Sequence, residues 1–123
     1  MGFRFATALA GALLLAAAVY TLRAESKAAT VKGYVIDSAC TFTKGLKKPV
    51  SAECAQACAK AGSPLVILAD NGSIYWPTTD AMPATSQNGK LLPFAGKRVV
   101  ASGKEYDRGG SKALVIEKIE AEK

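Results

Sequence analysis

The chain contains no histidine among its 123 residues. That absence excludes Ser-His-Asp and Cys-His catalytic pairs and withholds the usual nitrogen ligand from any zinc site. No glycine-rich phosphate loop follows a strand. There is no internal repeat and no low-complexity linker. The carboxylates Asp70, Asp80, Glu105 and Asp107 fall near loops in no acid/base pattern. Cysteine is scarce and odd in number, three in all, so a single disulfide leaves one thiol over. These gaps point away from an enzyme.

Charge is plentiful but dispersed. The formal net charge is +6, and the lysines are spread along the chain, which reads as a solvated surface with no nucleic-acid partner. The N-terminus is the exception to the polar pattern. A short basic lead, Met1 to Arg4, precedes an uncharged alanine-rich run from Phe5 to Leu22, after which Arg23, Glu25 and Lys27 restore polarity. This is the pattern of a secretory signal peptide. Residues 1–28 are therefore read as the signal, with cleavage near 24–28, and residues 29–123 as one mature domain in the periplasm or outside the cell. The run approaches the ~18-residue length of a membrane span, so a membrane association enters only if the segment is an uncleaved anchor.

The mature chain reads as five strands and one helix. Thr30–Asp37 alternates as a half-buried strand, with Gly33 as a bend. Ser38–Pro49 reads as an exposed loop. Ser51 is a helix N-cap for Ala52–Ala61, with Glu53 in the first turn and Lys60 and Gly62 at the stop. Leu65–Asp70, the Asn71-Gly72 turn and Ser73–Trp76 form a hairpin that Pro77 ends. After an irregular stretch from Thr78 to Gly96, Arg98–Tyr106 and Lys112–Glu120 form a second hairpin around Arg108–Ser111. Five short strands with glycine bends predict a mainly β fold, an OB-like five-stranded small barrel with its helix between strands 1 and 2, because closure removes exposed sheet edges.

All three cysteines lie between Asp37 and Gly62. Cys54 and Cys58 share one helix face with Cβ atoms about 5–6 Å apart, a geometry poorly suited to bonding each other. Cys40, in the preceding loop, is expected to pair with Cys54 or Cys58, pinning the first strand to the helix and contributing about 3 kcal/mol. The competing reading is a thiolate metal site of Cys40, Cys54 and Cys58. Three sulfurs suit Cu(I), whereas Zn(II) needs a fourth ligand, for which Asp37 is near in sequence. A redox enzyme fits less well, since its CxxC spacing is absent.

The segments GYVIDSAC (Gly33–Cys40), ECAQACAKAG (Glu53–Gly62) and FAGKRVVASGKEYDRGG (Phe94–Gly110) resemble small exported bacterial domains of uncharacterised function with OB-like strands. Such domains often carry a histidine shortly before the CxxxC pair, where this chain has Ser51. The resemblance implies the fold and compartment but no activity.

The leading expectation is a non-enzymatic binding module without a cofactor, stabilised by the Cys40-to-helix disulfide. Tyr75 and Trp76 are its expected ligand face, since OB-type barrels stack ligands on exposed aromatics. In an exported protein the partner would be a glycan or another protein.

Overall fold

The computed structural model describes residues 25–123; the expected signal segment lies outside them except for its last four residues. Strand β1 (Ser26–Asp37) starts four residues before the alternation predicts, and it serves two neighbours. Its first part, Ser26–Tyr34, pairs antiparallel with β4 (Arg98–Arg108). Its last part, Gly33–Asp37, pairs antiparallel with β2 (Leu65–Ala69). Gly33 belongs to both ladders, at the corner where the strand changes partner. A Cβ there would lie 2.1 Å from the Leu68 carbonyl oxygen, so only glycine permits the approach.

The remaining strands close the barrel in the order β1-β2-β3-β5-β4, with β4 returning to β1. β3 (Ile74–Thr78) forms the expected hairpin with β2, and the Asn71 carboxamide fixes its turn by accepting from Ser73 N at 2.9 Å. β5 (Ser111–Ala121) runs antiparallel to β4 and parallel to β3. The β4–β5 register shifts at Ser102/Gly103, the second expected bend. The result is the OB-like barrel, with a helix between β1 and β2. Pro77 does not end β3, contrary to expectation. It pairs with Leu114 of β5, beyond the short stretch shared with β2, and on that one-sided edge its missing N–H costs no ladder bond.

Three short helical elements went unseen in the sequence. α1 (Ser38–Phe42) follows β1 directly, and α2 (Ala52–Lys60) is the expected helix. Between β3 and β4, α3 (Asn88–Leu91) runs into a 3-10 turn at Leu92–Phe94. Leu91 is wholly buried and packs with Val35, Ile67, Val99 and Leu114 in the core. Asn88 ties this plug to the start of β2, its Oδ1 accepting from Leu65 N at 2.9 Å and its Nδ2 donating to Ser63 O at 2.8 Å. Ala55 and Ala59 turn the inner face of α2 onto the same core. No helix among the described residues is long and apolar enough to cross a membrane.

Candidate ligand groove and thiol cluster

The β1–β2 connection carries the three cysteines and Phe42, one ring of the aromatic face. It leaves the barrel at Asp37 and returns at Leu65, residues that pair across the two strands. Within it, each helix is capped by the residue three before a cysteine. Asp37 Oδ1 accepts from Cys40 N at 3.1 Å, and Ser51 Oγ accepts from Cys54 N at 3.0 Å. Ser51 is thus the N-cap of α2 that the sequence predicts. Gly96 fixes the start of α2 from the other side. Its φ is +79°, and a Cβ would fall 2.4 Å from the Ala52 Cα.

All three cysteines are half-buried free thiols, and the expected Cys40-to-helix bond is not present. They are nonetheless neighbours. Burial pushes the Cys40 thiol above its ordinary pKa, and the negative fields of Asp37, Cys54 and Cys58 push it further. Cys58 is raised by burial, then by Asp37, then by Cys54. Asp37 itself is 2 % exposed, and its Oδ2 is buried without a hydrogen-bond partner. As the side chains stand, no three Cys, Asp or Glu donors among the described residues are gathered as a metal site. Raised thiol pKa values also disfavour a nucleophilic role, because the thiolate is the reactive form.

The aromatic face differs from the expected one by one residue. Tyr75 points inward and is 7 % exposed, as the alternation of β3 requires. Its hydroxyl is raised in pKa by burial and by nearby Glu105. Trp76 faces outward at 36 % exposure, and its partner is Phe42, 57 % exposed, at the end of α1. The two rings stack at 5.8 Å between centroids and 18° between planes. The sequence predicts an exposed loop over Ser38–Pro49 and does not single out Phe42, because a five-residue helix leaves no periodic signal.

Around this pair lies an open groove of about 250 Å³, bounded by Ile74, Ser73, Ser111 and Lys112. A second groove of about 510 Å³, lined in part by Tyr34, Leu46, Lys47 and Asp70, meets it at Gly72 and Ile74. Lys112 and Asp70, one at each groove, are paired with neighbours, whereas Lys47 at the larger groove is exposed and makes no ion pair among the described residues. Lys112 Nζ donates to Glu105 at 3.1 Å and Asp107 at 2.7 Å. Both contacts hold its ammonium charged well above the usual lysine range. Asp70 receives a two-pronged contact from Arg98, both bonds 2.8 Å, and its carboxyl is lowered by that guanidinium.

No family model, curated protein or solved structure matches the chain.

Proposed function

We propose that the protein is an exported, non-enzymatic binding module that holds a neutral saccharide chain against the Phe42–Trp76 face. The observation that carries this reading is the outward aromatic stack bordering a groove of about 250 Å³, room enough for a single sugar ring. Sugars present apolar C–H faces to aromatic rings and hydroxyls to polar rims, and Ser73, Ser111 and Lys112 supply such a rim. The adjoining groove across Gly72 and Ile74 allows for a second unit of the same chain. At the aromatic stack the one lining cation, Lys112, is already paired, which favours an uncharged ligand on that face over a phosphate backbone, whose affinity rests on free cations. In OB-like barrels the first and fourth connections flank the ligand face, and Phe42 and Ser111 lie on or beside those connections here.

The test is titration of the reduced protein with chito-, cello- and malto-oligosaccharides, followed by Trp76 fluorescence. Trp76 is the chain's single tryptophan, so a saturable spectral change reports this face alone. Saturable binding that is lost in Trp76→Ala, with the variant followed by calorimetry, supports the reading. Binding of a peptide library but of no saccharide would replace it with a protein-recognition module.

A further inference from the structure

Glu105 is a buried carboxylate on the barrel wall. It shares the inward-facing row of β4 with Val99, Ala101 and Gly103 and is only 5 % exposed. Such a group needs a cationic partner, and Lys112 of β5 supplies it, Nζ donating to Oε1 at 3.1 Å. The same ammonium donates to Asp107 Oδ2 at 2.7 Å, and the centre of the Tyr75 ring lies 5.9 Å from it. Strand pairing also fixes the base of this side chain. Lys112 stands opposite Asp107 on β4 and opposite Tyr75 on β3. Lys27 Nζ, 3.6 Å from Glu105, adds a second cation, so two carboxylates face two ammonium groups.

An ammonium has three N–H donors and no acceptor. Two of those on Lys112 are occupied, yet its side chain is still 28 % exposed and borders the groove beside Phe42 and Trp76. The third N–H is what the groove is offered.

We propose, building on the saccharide reading of this face, that the bound unit is an acetamido sugar whose carbonyl oxygen accepts the third N–H of Lys112. Lys112 is then the specificity-determining donor of the groove, and Glu105 is a positioning residue that acts through it. A carbonyl oxygen accepts without bringing a donor of its own, whereas a sugar hydroxyl brings a proton that Lys112 cannot take. The balanced charges around Glu105 leave no net attraction for a carboxylate-bearing sugar. The Ser73 and Ser111 hydroxyls at the same rim rotate freely, but Lys112 is already held, so little rotamer freedom is lost when it bonds. Ile74 lines the groove too and gives the acetamido methyl an apolar neighbour.

The experiment titrates the reduced protein with chito- and cello-oligosaccharides of equal length, read by Trp76 fluorescence. The two chains share their linkage and differ at the acetamido group. The chito chain should bind at least about tenfold more tightly, as expected for a hydrogen bond from a charged donor. Lys112→Met should bring the two affinities to within about twofold while Trp76 still responds. Glu105→Gln keeps Lys112 but loses the charge that holds it, and should shrink the preference by about threefold. A merely structural role for Glu105 would lower both affinities together and leave their ratio intact. Should Lys112→Met fail to fold with Glu105 left unpaired, the double variant Glu105→Gln/Lys112→Met removes both charges and should show the same loss of preference. Equal affinity for the two chains in the wild type, or a preference that survives the loss of Lys112, overturns the assignment while the saccharide reading stands. Absence of binding by any saccharide overturns both.

Discussion

Asp37 caps the helix that carries Cys40, with Oδ1 accepting from the Cys40 amide at 3.1 Å, while its other oxygen is buried and unpartnered. The two oxygens of one side chain thus have opposite energetic signs in the folded protein. The cap stabilises by about 1 kcal/mol, and the orphan oxygen opposes it by a similar or larger amount. Asp37→Asn should therefore leave the domain no less stable than wild type, and Asp37→Ala should fall below Asp37→Asn by about 1 kcal/mol. Urea unfolding of the three proteins under reducing, chelated conditions measures the order. A wild type clearly more stable than Asp37→Asn would mean that Oδ2 has a partner in solution.

Gly96 is the second position where one atom should matter. Its positive φ and the 2.4 Å approach of a built Cβ to Ala52 Cα leave no room for alanine without moving the start of α2. Gly96→Ala should cost about 2–4 kcal/mol, seen as a lower urea midpoint. A loss under 1 kcal/mol would show that the loop and helix separate easily.

Much of the barrel was legible in the sequence because the evidence there was local. Asn71-Gly72 marks its own hairpin, and the alternation in β4 and β5 reveals their faces without knowledge of any partner. Ser51, Glu53 and Gly62 delimit α2 by cap and dipole. What stayed hidden depended on tertiary context. α1 and α3 are five and four residues long, too short for a periodic signal, and Gly89 in α3 and Pro93 just after it argue locally against helix. The outward turn of Trp76 and inward turn of Tyr75 follow from period 2, yet their absolute direction is set by which face of β3 meets the core. The cysteine cluster was legible as a group, but the buried state of Asp37 was not, because an aspartate at a strand end is usually exposed.

Acid should weaken the domain through three surface carboxylates. Hydrogen bonds from Arg98 hold the Asp70 carboxyl below its usual range, Lys104 and then Tyr106 do so for Asp80, and Lys112 for Asp107. A depressed folded-state pKa gives stability that is complete above the unfolded value near 4 and is lost as pH falls through the folded value. Melting temperature should thus be flat from about pH 6 down to about pH 4 and then decline, with a shallower decline in Asp80→Asn. An equally steep decline in that variant would remove Asp80 from the account.

Oxidation gives a separate check on the thiols. An oxidant such as diamide should link Cys40 to Cys54 or Cys58, making the chain two hydrogens lighter and leaving one free thiol. Mass spectrometry after alkylation distinguishes the forms. Three alkylated thiols in the oxidised sample would show that the helices cannot approach closely enough to bond.

The central claim is that the face made by Phe42 and Trp76 holds a saccharide chain. Its most direct test is the titration of the reduced domain with oligosaccharides, read by the fluorescence of Trp76 and repeated in Phe42→Ala. The account predicts a saturable change for at least one neutral oligosaccharide, with affinity lost or reduced about tenfold in Phe42→Ala, equivalent to about 1.4 kcal/mol. No saturable change with any saccharide, or equal affinity without the Phe42 ring, would contradict it.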